Sequence, residues 1–464
     1  MRGVRFVCIP LIFGLTVLGL HYGGAVPRGF AAEVVLRATF MPWASAKPVL
    51  DAATGSLPAE LRSPDAARWM AWSRKQDKNI RARLHQGDLD SMVNLLLFGT
   101  SFTRQPRVSM ANLSEVSKNG VLRARVDDLV AGLRDPGNNE RLLFVKELLR
   151  EDGADPDESG PAGVFLYNNL LRVLKERQTL AAKAEAAHPE SSLDRGSLFR
   201  DRGVSLDTSI LPDFAIEQTL LDLKQRGILR EGQVERVAVV GPGLDFSDKN
   251  EESAFDYYPQ QTLQPFALYD SLVRLGLAKS NRVAVSVFDI SSRVLDHMRR
   301  ARAAAAKGSA YVMQLPHDVA RPWPPELNAY WRDLGDRVGS AATPIRPPEI
   351  FRNLETRAVR VRPDVVLACD PVNLNIVLQR VDLAPANRFD LIIGTNIFVY
   401  YDPFEQALAL ENAGAMLKSG GLLLTNDQLP EAARGSMRRA GMTEVRYSEK
   451  DVTAHEVVGW YQKR

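Results

Sequence analysis

Residues 237–245 read Val-Ala-Val-Val-Gly-Pro-Gly-Leu-Asp, and this stretch decides the fold of the chain. Four apolar residues, three of them valines, are typical of a strand that is buried on both faces of a sheet. Gly241-Pro242-Gly243 follows, and a glycine lets the backbone turn sharply and approach a ligand because it has no Cβ. The carboxyl edge of a parallel sheet is where nucleotide-like ligands bind. The stretch therefore predicts a binding loop in an α/β fold, with an ordinary tight turn as the alternative.

The composition is that of a folded globular protein: the chain has 464 residues, of which 45% are hydrophobic and 25% charged. This length is sufficient for two or three domains. The net charge is +3 and no long basic run occurs, so nothing points to a nucleic-acid partner. The six histidines are scattered, and no Cys/His cluster has the spacing of a metal site.

Residues 1–32 resemble a secretory signal. Arg2 and Arg5 give a positive start, residues 6–20 are mostly apolar, and residues 29–32 offer small side chains for cleavage. We expect an exported protein, or a membrane-anchored one if this segment is not cleaved, and we expect membrane contact only through such an anchor. A mis-assigned start codon would instead leave the protein in the cytoplasm.

The two cysteines are Cys8, inside this leader, and Cys369. A processed chain would keep only Cys369 and could form no internal disulfide.

Residues 33–205 are predicted to form a separate, mostly helical domain that selects the acceptor or partner. Leucines and valines recur there at three- and four-residue spacing, and turn-rich segments separate the periodic stretches. The predicted helices are Ala66–Leu84, Leu89–Phe98, Leu122–Leu133, Asn139–Leu149 and Gly163–Ala187. No catalytic constellation is visible in this half of the chain.

From residue 206 onward, strands and helices alternate, which predicts a doubly wound, Rossmann-like sheet. The last two predicted strands alternate polar and apolar residues, as expected for a closing antiparallel hairpin. A proline-rich insertion around 316–356 is predicted either to cover the site or to pack as a surface excursion. The predicted strands after residue 240 are Arg282–Phe288, Ala310–Leu315, Val365–Cys369, Phe389–Gly394, Leu422–Thr425, Thr443–Ser448 and Glu456–Gln462.

A long polar loop delays the helix that should follow the first strand. Residues 245–263 include Tyr257, Tyr258 and two neighbouring glutamines, and the helix itself begins near Gln264. Loops of this length in a compact domain are often lids or binding loops. A floppy surface insertion is the alternative.

The order of these elements resembles a class I S-adenosylmethionine-dependent methyltransferase over residues 206–464. The strongest part is Phe389–Asp427, which is similar to the corresponding stretch of chemotaxis-receptor glutamate methyltransferases: both have an Asn, a Tyr and an Asp-Pro at matching spacing. The N-terminal half shows no likeness to that subfamily. The resemblance therefore implies the fold and S-adenosylmethionine as cofactor, and not the receptor as substrate.

The resemblance also implies which residues bind the cofactor. Gly241 and Gly243 would let the loop backbone approach its methionine portion. Asp289, at the end of the second strand, would accept hydrogen bonds from both ribose hydroxyls, because a carboxylate is an acceptor only. Asn373 and Leu374 match the position that meets the adenine edge.

Asn396 and Tyr400 are the candidate catalytic residues. Asn396 matches the position beside the transferred methyl group, and Tyr400 could shape the methyl pocket; helix capping and packing are the alternative roles. The sequence departs from the family pattern at Val239, where an acidic residue is usual, and at Asp245, where a third glycine is usual. Asp245 could supply the missing carboxylate from the other side of the loop.

In the mechanism that the cofactor implies, the main task of the protein is to align the nucleophile with the methyl group. The sulfonium already activates the methyl group, so the protein positions the nucleophile in line and excludes water. The acceptor is unknown and could be a small molecule or a protein. If it must lose a proton, Asp245, Tyr257 and Tyr258 are the candidate bases.

Two other functions are compatible with the sequence. A dinucleotide oxidoreductase would need Gly-x-Gly-x-x-Gly and an acidic residue about 20 positions further on. Here Phe246 takes the place of the last glycine, and Asp289 lies too far along the chain. The other alternative is a non-catalytic binding module with a methyltransferase fold, since an exported protein would leave the compartment in which the methyl donor is made.

Overall fold

The computed structural model describes residues 36–53, 57–108, 119–186, 209–245, 255–320, 322–351, 353–430, 435–451 and 454–464. Arg37–Arg464 forms one compact unit. The predicted leader over 1–32, with Cys8, lies outside the described residues. Cys369 is a free, buried thiol. No helix in the described part of the chain is long and apolar enough to cross a membrane.

A seven-stranded sheet organises the C-terminal part, in the order β7-β3-β2-β9-β10-β12-β11. Its strands are β2 (Arg236–Val240), β3 (Ala284–Asp289), β7 (Cys369–Asn373), β9 (Phe389–Ile393), β10 (Leu417–Thr425), β11 (Met437–Arg446) and β12 (His455–Lys463).

The order in which successive strands are added to the sheet reverses at β2. Strands β3 and β7 follow on one side of β2, and β9 and β10 follow on the other, all five in parallel. Strand β12 is antiparallel to both β10 and β11. The chain thus has the predicted Rossmann-like α/β fold with a C-terminal antiparallel hairpin. Ligands bind such folds at the carboxyl ends of the strands where the strand order reverses. In this sheet the reversal lies between β2 and β9.

Helices precede and separate these strands. They are α1 (Trp43–Ala52), α2 (Ala66–Phe98), α3 (Val121–Arg134), α4 (Glu140–Glu151), α5 (Ser159–Ala186), α6 (Ile210–Gln225), α7 (Gln264–Arg274), α8 (Ser292–Ala305), α9 (Pro325–Asp333), α10 (Pro363–Leu367) and α11 (Pro403–Met416). Asp402 caps α11 as its sequence predicts, because its carboxylate accepts a hydrogen bond from the backbone of Glu405 at 2.8 Å.

Two predictions of secondary structure need correction. The two helices expected at Ala66–Leu84 and Leu89–Phe98 are one helix, α2, which continues through Gly87; a glycine inside a helix costs only about 1 kcal/mol. The strand expected at Val365–Cys369 is wrong. Pro363 begins helix α10 there, and the strand starts only at Cys369, because valines buried on a short helix give the same apolar run as a buried strand.

Two smaller sheets complete the fold. Strands β4 (Tyr311–Asp318), β5 (Gly339–Ala342) and β6 (Leu354–Val361) form an antiparallel sheet in the order β4-β6-β5, within and beside the predicted insertion. Strand β1 (Ala38–Phe40) pairs antiparallel with β8 (Gln379–Val381). A segment near the start of the described chain is therefore hydrogen-bonded to the C-terminal part. That residues 33–205 fold as a separate domain stays a prediction.

Candidate cofactor site

The turn after β2 depends on glycine at two positions. Gly241 has φ 64° and Gly243 has φ 69°, in the left-handed region that favours glycine. A Cβ on Gly241 would lie 2.1 Å from Cδ1 of Ile397, which follows β9. The structure thus places the Ile397 side chain against the glycine that is predicted to approach the cofactor.

Asp289 ends β3 at the same edge of the sheet and is only 5% exposed. Its Oδ1 accepts a hydrogen bond from the backbone N–H of Ser291 at 2.7 Å. Its Oδ2 is buried and has no hydrogen-bond partner among the described residues. Burial raises the pKa of Asp289 to about 7, against the lowering effect of the Ser291 and Ile290 backbone and of two nearby arginines, Arg81 and Arg293. One carboxylate oxygen of Asp289 is thus buried and unpaired at the end of β3.

The next strand brings the predicted adenine-binding pair beside Asp289. Asn373 lies opposite Asp289 in the register of β3 and β7 and is exposed. Leu374 is 1% exposed, and its backbone N–H donates to the carbonyl oxygen of Asp289 at 3.0 Å. The predicted ribose-binding and adenine-binding residues are therefore direct neighbours.

Across the strand-order reversal, Asn396 follows β9 and is exposed. Its φ of 57° makes it the sole residue other than glycine with a positive φ in the described part of the chain. Asn426 stabilises this conformation, because its Oδ1 accepts from the Asn396 backbone and its Nδ2 donates to Asn396 Oδ1, both at 2.7 Å. Such backbone strain costs about 1–3 kcal/mol and is concentrated at functional sites.

Tyr400 is buried in the short 3-10 helix Phe398–Tyr400 that follows Asn396. Asp427, after β10, fixes this turn by accepting from the backbone N–H of Phe398 at 2.9 Å. Burial raises the pKa of Asp427 to about 6. The structure thus brings Asn396 and Tyr400 to the same edge as Gly241, on the opposite side of the reversal from Asp289.

Asp245 is engaged by the polar loop that follows it. Its Oδ2 accepts from the Tyr258 hydroxyl at 2.5 Å and from Gln261 Nε2 at 3.2 Å. Arg141, on α4, donates to the carbonyl oxygens of both Asp245 and Tyr258. Burial, together with the Asp245 carboxylate, raises the pKa of Tyr258 well above its ordinary value. Tyr258 therefore stays protonated near neutral pH and acts as a hydrogen-bond donor, not as a base.

The same loop is joined to the end of α2 through Asp256. Its carboxylate accepts from the backbone N–H and hydroxyl of Thr100, at 2.9 and 2.6 Å, and from the backbone of Ser101 at 2.8 Å. Burial by itself raises the pKa of Asp256, but the hydrogen bonds from Ser101 and Thr100 outweigh it and leave the pKa below its ordinary value. The loop is therefore anchored at Asp256, at least over its described residues.

Helix α2 crosses this edge of the sheet, which the sequence analysis did not foresee. Asp77 Oδ1 accepts from Asn375 Nδ2 at 2.8 Å, and Arg81 Nη1 donates to the carbonyl oxygen of Ile290 at 3.2 Å. Leu84 packs on Leu244. These α2 residues recur at four- and three-residue spacing along one face of the helix. This spacing was the signal in the sequence for a contact between α2 and the sheet. Charged residues at such spacing, however, are equally typical of a solvent-exposed helix face.

The described residues contain no group of three or more His, Cys, Asp or Glu side chains that could hold a metal ion. The candidate site consists of glycines, carboxylates and amides near the strand ends, together with Arg81 on α2 and Arg293 on α8.

Comparisons with known proteins give no match to a family model and no match in sequence to a curated protein. Several solved structures are similar at low identity. MtNAS in complex with MTA and tNA is 11% identical, over 85% of this chain and 98% of that one, with a TM-score of 0.24. The N-methyltransferase NodS from Bradyrhizobium japonicum WM9 is 10% identical, over 55% and 99%, with a TM-score of 0.24.

Magnesium protoporphyrin IX methyltransferase from Synechocystis PCC 6803, with bound SAM, is 11% identical, over 59% of this chain and 92% of that one, with a TM-score of 0.25. Structures that resemble this chain thus include S-adenosylmethionine-dependent methyltransferases. Scores this low assign no activity, so a functional assignment has to come from the residues of the chain itself.

Proposed function

We propose that this chain is an S-adenosylmethionine-dependent methyltransferase, with its donor lying across the carboxyl ends of β2, β3 and β7. The observation that supports this most directly is Asp289, whose buried Oδ2 has no partner among the described residues. A carboxylate accepts hydrogen bonds and donates none when ionised, so it suits two neighbouring ribose hydroxyls. Asp289 is also next to Leu374, the position that the family resemblance places at the adenine edge.

The residues around Asp289 fit such a ligand in charge as well as in position. Arg81 and Arg293 both lower the pKa of Asp289 and so favour its ionised form, which is the form that accepts two hydrogen bonds. Arg81 also joins α2 to the turn after β3 through Ile290. We assign to Arg81 the role of positioning this turn under the ribose.

The donor, when bound, supplies an already activated methyl group. The chain's own residues then have to orient the acceptor and exclude water. Asn396 and Asn426 hold the edge beside β9 through their reciprocal hydrogen bonds. Helix α2 contacts this edge through Arg81 and Ile290, and Tyr258 of the polar loop contacts it through Asp245. Gly241 and Gly243 shape the loop beneath the methionine portion.

The acceptor is unassigned, and the similarity of Phe389–Asp427 to chemotaxis-receptor methyltransferases stays a prediction. Asp245 stays a candidate base. Burial and the nearby Asp245 carboxylate raise the pKa of Tyr257 above its ordinary value, as they do for Tyr258, so neither tyrosine acts as a base near neutral pH. Export or membrane anchoring through residues 1–32 also stays a proposal, which fractionation of the expressed full-length chain would test: an unprocessed chain found in the cytosol would contradict it.

One observation favours a second function, that of a non-catalytic binding module. The Ile397 side chain packs against Gly241, where the methionine portion of the donor is expected. If Ile397 keeps this place when ligand is present, only the nucleoside part of a donor can bind. Such a protein would bind methylthioadenosine as tightly as S-adenosylmethionine.

Thermal unfolding of the full chain with added ligand tests the proposal. S-adenosylmethionine at 100 times its Kd should stabilise the protein by about 2.7 kcal/mol, because it binds only the folded state. NAD at the same concentration should have no effect. Stabilisation by NAD alone, or by neither ligand, would contradict the proposed function, and equal stabilisation by methylthioadenosine would favour the binding module.

A further inference from the structure

A groove of about 460 Å³ lies at the opposite, amino edge of the central sheet. Arg388, which lines it, immediately precedes β9, whereas the donor-site residue Asn396 follows that strand. We call it the basic groove. It is lined by β8, the last turns of α11, the end of β12 and their connections, with these residues: Ser45, Arg380, Val381, Asp382, Leu383, Ala384, Arg388, Glu411, Ala415 and Lys463.

Three cations converge in the basic groove. The Arg388 side chain has a buried Nε without a hydrogen-bond partner, and it forms no ion pair among the described residues. The pKa of Lys463 is lowered mainly by burial. Repulsion from Arg388 and Arg380, which lie nearby, lowers it further, and attraction to Glu411 acts in the opposite direction. Positive charge is therefore concentrated in the groove and only partly compensated.

The two acidic residues of the groove compensate part of this charge. Asp382 Oδ2 accepts from the Thr39 hydroxyl at 2.9 Å, and its other oxygen lies 3.5 Å from Arg380 Nε. Glu411 accepts from the Ser436 hydroxyl at 2.9 Å. Neither carboxylate forms an ion pair with Arg388. An anion from outside the chain would supply a counter-ion for Arg388.

We propose that the basic groove binds the phosphoryl group of a small molecule. Guanidinium groups match phosphate oxygens in a two-pronged geometry, and Arg388 has its donors available for it. The volume is within the range of small-molecule sites and much larger than one phosphate group needs. The remaining walls, formed by Val381, Leu383 and Ala415, offer apolar surface to the rest of the molecule. This site does not depend on the methyl donor.

Isothermal titration calorimetry of the full chain with pyrophosphate, and separately with inorganic phosphate, tests this proposal. We expect saturable binding of at least one of them. Arg388→Gln should weaken it about tenfold or more, because it removes a charged donor. Lys463→Gln is the second variant and should also weaken binding. Arg439→Gln is the matched control, since Arg439 is exposed on β11 and its one side-chain hydrogen bond among the described residues is to the Met442 sulfur, at 3.4 Å.

Absence of saturable binding to the wild-type chain would overturn the proposal. Equal affinity of the wild-type chain and a folded Arg388→Gln variant would also do so. Vesicles containing phosphatidic acid distinguish a lipid headgroup from a free phosphate: if the protein bound them and neither soluble phosphate, the small-molecule site would be wrong. Acetate should bind at least tenfold more weakly than pyrophosphate, and tighter acetate binding would contradict a phosphoryl site.

Discussion

Arg81 donates a hydrogen bond from Nη1 to the carbonyl oxygen of Ile290, at 3.2 Å, and so joins helix α2 to the turn that carries Asp289. The two residues are 209 positions apart in sequence. Arg81 also lowers the pKa of Asp289 from where burial alone would set it. One helix of the N-terminal half therefore influences both the position and the charge of the residue that we assign to the ribose.

Arg81→Met should weaken binding of S-adenosylmethionine several-fold. The change removes the contact with Ile290 and a positive charge that favours the ionised carboxylate of Asp289. Arg81 is 27% exposed, so we expect a loss of only about 1 kcal/mol in the free energy of unfolding. Calorimetry and urea unfolding measure the two effects. Lys75 lies on the same helix as Arg81, and Lys75→Met removes only an exposed pair with Glu60, so it should change neither; equal effects of both variants would contradict the role of Arg81.

The stability of the protein should depend on pH through Asp289. Burial raises its pKa to about 7 in the folded state, whereas an unfolded aspartate has a pKa of about 3.9. Between these values the unfolded state gives up its proton while the folded state keeps it, so the free energy of unfolding falls as the pH rises. The amide in Asp289→Asn cannot ionise, so the variant should not lose this free energy of unfolding as the pH rises. The loss in the wild type amounts to at most roughly 4 kcal/mol.

Urea unfolding of the wild-type chain and Asp289→Asn at about pH 4 and about pH 7 measures this difference. Burial also raises the pKa of Asp213, to about 8, so only the difference between the two proteins reports Asp289. Parallel pH profiles would show that Asp289 ionises normally and would contradict the buried, unpartnered carboxylate.

Gly241→Ala should destabilise the fold by about 1–3 kcal/mol. The new methyl group would meet Ile397 Cδ1 at 2.1 Å, in addition to the strain of a positive φ. Gly420→Ala is the matched control, because its φ is 78° and nothing lies within 4 Å of the added Cβ. It should show the strain alone, about 1 kcal/mol. Chemical denaturation measures both changes. A Gly241→Ala variant no less stable than Gly420→Ala would mean that the Ile397 side chain rotates away without cost, which would contradict the expected clash.

Asp256→Ala should release the polar loop from the end of α2. The carboxylate accepts hydrogen bonds from Thr100 and Ser101, and losing a buried charged acceptor costs about 2–5 kcal/mol. Hydrogen exchange should speed up at residues 255–263 and at 100–101, with smaller changes in β2 and β3. Thr100→Val removes only the hydroxyl hydrogen bond and keeps those from both backbone N–H groups, so it should give a weaker effect at the same residues. Unchanged exchange over 255–263 in Asp256→Ala would show that the loop is held elsewhere.

That Gly241 and Asp289 lie at one edge of the sheet could be predicted, because the signals for it are local. Gly241 and Asp289 each follow a buried strand, and consecutive parallel strands end at the same edge. Helix α2 could not be predicted as part of that edge, since Asp77 and Asn375 lie 298 residues apart and nothing in either segment indicates the other. Val365 was assigned to a strand because burial on α10 and burial in a sheet produce the same apolar run. Arg388 gave no signal, because a single arginine beside a strand is usually solvated.

Titration of the full chain with S-adenosylmethionine by calorimetry tests the central claim most directly. Asp289→Ala should raise the Kd about 10- to 100-fold, since hydrogen bonds to a charged acceptor contribute about 1.5–3 kcal/mol. Asp289→Asn should lose less, because its amide keeps one acceptor oxygen, and the exposed control Asp296→Ala should bind like the wild type. A well-folded Asp289→Ala protein with unchanged affinity for S-adenosylmethionine would contradict the account.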